Sequence, residues 1–210
     1  NVDTKFAINT NACVDVSGGS NTITGSVVQG PGCGCDPQIN GTCEANKSVT
    51  TNMQTYLGDT LANIMTYSDE VHSCKNAQCN APGDDIPSSG MLEPVVTAWE
   101  GTGPHEGVLL FIDNSGGKAA SISGTFHGEG IIIVTGDLEL SGNFQWEGLI
   151  YVMGTLTVSG GGSNLNVKGG IMANQTVSIN GGITVQYDQE ELLEMARQTS
   201  TSALTSWKRL

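Results

Sequence analysis

A short phrase in which apolar and polar residues alternate up to a glycine recurs through the second half of the chain. It reads Leu138-Glu139-Leu140-Ser141-Gly142, Leu156-Thr157-Val158-Ser159-Gly160 and Val177-Ser178-Ile179-Asn180-Gly181, with a shorter form at Ile122-Ser123-Gly124. From Gly124 to Gly142, Gly160 and Gly181 the steps are 18, 18 and 21 residues. Alternation of period two marks a strand with one buried face. A second phrase keeps step with the first: Gly130-Ile131-Ile132-Ile133-Val134, Gly148-Leu149-Ile150-Tyr151-Val152 and Gly170-Ile171-Met172-Ala173. It is apolar throughout, as in a strand covered on both sides. Two phrases repeating together predict a mostly β protein, a right-handed parallel β-solenoid in which each turn buries its apolar side against the next. Leu138, Leu156 and Val177 then form one interior column. An antiparallel sandwich also uses short alternating strands, but nothing in it requires two phrases to stay in register.

The same signals divide the chain, read as one domain over 1–210. Val14-Asp15-Val16-Ser17-Gly18 and Asn21-Thr22-Ile23-Thr24-Gly25 repeat the phrase within a first coil segment over 1–30. A Cys-containing insertion over 31–107 follows, and the main solenoid occupies 108–187. Inside the insertion Met53, Tyr56, Leu57, Thr60, Leu61, Ile64 and Met65 fall at helical spacing, predicting an amphipathic helix over about 52–68 that lies outside the coil or on its open end. Over 188–210, Asp188 and Glu191 form a capping-box-like helix start, and Leu192, Leu193, Met195 and Ala196 give that helix an apolar side. A capping helix there would cover the last rung, followed by the tail.

Composition excludes several classes. Twenty-nine glycines, a charged fraction of 14% and only six prolines fit neither solvated disorder nor collagen. The net charge of −13, from 21 acids and 8 bases, argues against unaided nucleic-acid binding and against docking on an anionic membrane. All six cysteines (Cys13, Cys33, Cys35, Cys43, Cys74 and Cys79) fall in the first 79 residues. An even number in a loop-like region reads as a disulfide framework of an exported protein, and the spacings do not make paired zinc knuckles. Cys33 and Cys35 are poorly placed to bond each other. Fifteen pairings remain open.

Candidate chemistry is sparse. Glu129 and Glu147 occupy equivalent places one rung apart and are the best carboxylate pair for a carbohydrate-active enzyme, yet the reading is of a protein without catalytic residues. His72, His105 and His127 have no ligand-like spacing. No cofactor is expected, with calcium the one exception: Asp84, Asp85 and Asp113 offer hard oxygens, without a spaced calcium loop. An interaction surface is placed on the insertion, at Tyr56, Gln38 and Asn40.

The run Gly124-Thr125-Phe126-His127-Gly128-Glu129-Gly130-Ile131-Ile132-Ile133-Val134 and its continuation to Val152, with the closing Trp207-Lys208-Arg209, resembles the C-terminal region of PilX-like type IV pilus assembly proteins, the minor-pilin-like components of bacterial pili. The resemblance implies an exported structural or interaction head, without the apolar N-terminal helix by which such proteins hold the inner membrane. It implies a place at the cell surface after a periplasmic or inner-membrane pool, and a role in pilus assembly, tip formation or adhesion. The implied partners are other pilins or pilus tip proteins, and a surface ligand. The alternatives are a secreted carbohydrate-active β-helix enzyme using Glu129 and Glu147, and a free-standing filament-forming solenoid.

Overall fold

Stacking of the two phrases is what the computed structural model shows. It describes residues 6–19, 21–47, 59–68, 70–73, 108–114, 119–122, 125–190 and 192. The chain forms a parallel β-solenoid of about six turns. Its strands are β1 (Phe6–Thr10), β2 (Val14–Ser17), β3 (Thr22–Thr24), β4 (Ser26–Val28), β5 (Thr42–Glu44), β6 (Glu70–Ser73), β7 (Val108–Asp113), β8 (Ala120–Ile122), β9 (Thr125–Val134), β10 (Leu138–Ser141), β11 (Asn143–Val152), β12 (Leu156–Ala173) and β13 (Val177–Tyr187). All of the pairings between them are parallel.

The longer strands run around corners, so each turn contributes to three faces. The first face stacks β8, β10, the start of β12, the start of β13, and β2. The second stacks the first halves of β9 and β11, the middle of β12, the end of β13, and β3. The third stacks β6, β7, the ends of β9, β11 and β12, then β1, β4 and β5. The predicted column is present: Ala120, Leu138, Leu156, Val177 and Val14 follow one another in register, all buried. They belong to one interior cluster with Ile132, Ile150, Ile171, Ile8, Phe144 and Trp146.

The third face is covered on its outer side too, which is why its phrase is apolar throughout. Phe111, Ile131, Ile133, Leu149, Tyr151 and Met172 point outward into a second cluster with Phe6, Ile64 and Leu192. Ile64 comes from α1 (Leu61–Tyr67), which lies on the outside of the coil. Its start differs from the predicted span. Thr60 is an extended N-cap whose hydroxyl accepts the Asn63 N–H, so the helix begins after it although the apolar spacing runs on through position 60. Residues 52–58 of the predicted helix lie outside the described residues.

Two further expectations change. The second-phrase glycine of the third repeat is Gly169 and not Gly170: Gly148 pairs with Gly169 and Ile150 with Ile171. A Gly–Gly pair reads the same in either register, and only pairing separates them. The last rung of the main solenoid is covered by the first coil segment: β1 stacks on β12, while β2 and β3 stack on β13. Residues 191 and 193–210 of the expected capping helix and tail lie outside the described residues. Asp188 does start a helical turn, accepting the Glu190 N–H at 3.0 Å, but Leu192 packs onto the outside of the third face. The first coil segment therefore continues the coil from the C-terminal side. The insertion must run from β5 at one end of the solenoid to β6 and β7 at the other.

Candidate functional site: the first face

Alternation on the first face turns every second side chain outward. One outward column is Ser121, Glu139, Thr157, Ser178 and Asp15; the neighbouring one is Ser141, Ser159, Asn180 and Ser17. Seven of these nine are small hydroxyl or amide side chains. Acids stand only at Glu139 and Asp15, which flank the central block of Thr157, Ser159, Ser178 and Asn180: Glu139 is the register neighbour of Thr157 and Asp15 that of Ser178. No register shift interrupts this face, whereas the second face carries one between Gly160 and Leu165. The Ser17 hydroxyl donates to Asn180 Oδ1, tying adjacent rungs of one column. The corner before this face is also laddered, with the Thr155 N–H donating to Asp137 Oδ1 at 2.7 Å. The result is a regular, mostly neutral grid of hydrogen-bonding groups, roughly 4.8 Å between rungs and 6.6 Å along the strands.

The second face is chemically different. One outward column carries longer, charged side chains, running Glu129, Glu147, Lys168, Gln186 and Thr24, beside a neutral column of Gln145, Asn166, Thr184 and Thr22. Glu129 and Glu147 are register neighbours, as their spacing predicts. Lys168 on the next rung donates to Glu147 at 3.1 Å and lies 3.9 Å from Asp188. These charges form a solvated ion-pair network on a sheet face and are not enclosed in a cleft. The groove at Thr24, Ser26, Asn40 and Thr42 is shallow and lined without carboxylates.

The remaining candidates are dispersed. Asp113 accepts from the Thr135 hydroxyl at 3.1 Å, and among the described residues no group of three or more His, Cys, Asp or Glu side chains is gathered for a metal. His72 stands on the third face beside Ile112 and His127 on the second beside Gln145. His105, Tyr56, Asp84, Asp85, Cys74 and Cys79 lie outside the described residues. The other four cysteines form two disulfides, Cys13–Cys33 and Cys35–Cys43, so Cys33 and Cys35 do reach separate partners. Gln38 and Asn40 turn their amides to the coil, donating to the carbonyls of Val16 and Asn21. In the sequence the first-face polar positions read as plain alternation. The signal that could have singled them out is the uniform small size of one column, Ser141, Ser159, Asn180 and Ser17, over four rungs.

No family model matches the chain, and no curated protein matches it. Among solved structures it is similar to an ice-binding protein with antifreeze activity from an Arctic yeast, at 16% identity and a TM-score of 0.46, covering 88% of this chain and 91% of that one. It is also similar to an ice-binding protein from an Antarctic bacterium of the Flavobacteriaceae, at 16% identity and a TM-score of 0.36, covering 90% of this chain and 48% of that one. The pilus-head expectation is corrected here, because these solved folds are ice-binding proteins and neither is a pilus protein. The physical reason is that a glycine-cornered parallel coil writes Leu-x-Leu-Ser-Gly whatever its outer surface is used for.

Proposed function

We propose that the chain is a free-standing, exported solenoid that binds ice through its first face, without catalysis. One observation carries the reading: two outward columns of small, mostly neutral hydrogen-bonding side chains on a parallel sheet face whose register is unbroken. A periodic array is complementary to a periodic ligand. Crystalline water presents oxygen positions on a fixed lattice, and water held on a rigid grid joins that lattice with little left to order. Immobilising a water costs up to about 2 kcal/mol, so a surface that holds many at once before contact has a large advantage. Rigidity is supplied by the stacked rungs, and short Ser and Thr side chains lose little rotamer freedom on contact. Export is supported by the two disulfides. The same ligand is what the yeast and bacterial proteins bind, but the proposal rests on the face itself.

The test is ice-affinity partitioning together with thermal hysteresis. The full chain should partition into growing ice and shape the crystals. The pair Thr157→Lys and Ser178→Lys places two bulky charges at the centre of the grid and should lose most of both signals. Gln145→Lys on the second face should retain them, with unchanged circular dichroism in all three proteins. A wild-type chain left behind in the liquid, or a first-face variant as active as wild type, would sink the reading.

A further inference from the structure

The end of the first face is closed by side chains that imitate another rung. At each step of this face the amide that begins a strand donates to the carbonyl just ahead of the next strand. Ala120 donates to Asp137, Leu138 to Thr155, Leu156 to Thr176 and Val177 to Cys13. Val14 is next in the series. Its N–H donates instead to Gln29 Oε1, at 2.7 Å and fully buried. Two residues on, the Val16 N–H donates to Asp36 Oδ2 at 3.2 Å, and the Val16 carbonyl accepts from Gln38 Nε2 at 3.0 Å. Two primary amides and a carboxylate thus stand where peptide groups of a further strand would stand.

The set is bolted in place. Cys33 is bonded to Cys13, directly ahead of β2, and Cys35 to Cys43 in β5. Gln29 Nε2 also lies 3.1 Å from Cys43 Sγ. Asp36 and Gln38 sit inside the loop that the Cys35–Cys43 bridge closes. An uncovered sheet edge is a template for another chain, and a loop tied at one end to β2 and at the other to β5 is explained by what the β2 edge would otherwise take up.

We propose that Gln29, Asp36 and Gln38 are an end-plug that keeps β2 from pairing with the β8 edge of a second copy of this chain. The β8 edge fits because it is the same phrase at the opposite end of the same face. Among the described residues β8 pairs only with β10. Since Ala120 turns its N–H toward β10, the alternation of parallel pairing turns the N–H and C=O of Ser121 to the outer side. A docked copy would donate its Ser121 N–H to the Val14 carbonyl and accept the Val16 N–H, continuing the interior column from Val14 to Ala120. That contact is head-to-tail, so without the plug it propagates into a fibre.

The proposal is independent of ice binding and is read out by mass. In the full chain with disulfides intact, Asp36→Ala with Gln38→Ala should convert a monomer into concentration-dependent dimers and longer species by sedimentation velocity. Exchange of the Val16 amide should quicken about tenfold or more in the dilute monomer, the equivalent of about 1.4 kcal/mol. Adding Ser121→Pro, which removes the β8 edge donor, should restore the monomer while leaving the fast exchange. A plug variant that stays monomeric at high concentration overturns the proposal, as does unchanged Val16 exchange. Assemblies that persist with Ser121→Pro overturn it as well, since β8 would not be the docking edge.

Discussion

Gly148→Ala is expected to be among the most damaging single methyl additions to this chain. Gly148 lies between Gly130 and Gly169 where the second face turns into the third, and all three have φ near +125° to +135°. An added Cβ at Gly148 would stand 2.1 Å from the Gly130 carbonyl oxygen, and one at Gly169 equally close to that of Gly148. The obstacle is backbone of the adjacent rung, which cannot swing away as a side chain would. Strained φ and forced overpacking each cost about 1–3 kcal/mol, so the sum is about 2–6 kcal/mol. In a chain of this size that lowers Tm by about 5–20 °C. Gly19→Ala is the control, because no atom lies within 4 Å of its added Cβ; its effect should stay within about 0.5 kcal/mol. Paired thermal melts decide the matter, and equal melts for the two variants would refute the laddered corner.

Trp146→Ala should follow closely, with a loss of about 3–5 kcal/mol by chemical denaturation. Trp146 is the largest fully buried side chain among the described residues, stacked on Phe144 with ring centroids 6.4 Å apart. Its indole N–H donates to the Gly130 carbonyl at 3.2 Å, so it packs the interior and pins the glycine corner at once. Trp146→Phe separates these roles. It keeps most of the apolar volume but removes the donor, and a buried acceptor that loses a partner costs about 1–3 kcal/mol. If the phenylalanine variant unfolds at the wild-type denaturant midpoint, the indole bond contributes nothing to the corner.

The coil was legible because its cause is local and repetitive. Period-two alternation and the glycine spacing are written at every turn, so Leu138, Leu156 and Val177 could be set in one column before any pairing was known. The double apolar cover of the third face was legible for the same reason. Disulfides were legible as a class, whereas their partners were not, since spacing leaves the pairings degenerate. The candidate site was barely legible at all. Thr157, Ser159, Ser178 and Asn180 look like ordinary outward residues until register shows them lying side by side without a break. The pilus reading failed at the same point: it took the language of the coil, which many solenoids share, for the language of a surface.

By itself the sequence determined the strand type, the repeat, the interior columns and the outer cover of the third face. Each follows from which neighbouring residues are apolar and where glycine permits a corner. Tertiary structure alone decided that the first coil segment stacks behind β13, since Val14-Asp15-Val16-Ser17 could extend either end of a column of its own kind. It alone decided that Gln29, Asp36 and Gln38 stand in for a missing strand, because a side chain that replaces a peptide group is recognised by its position in space and leaves no period in the chain.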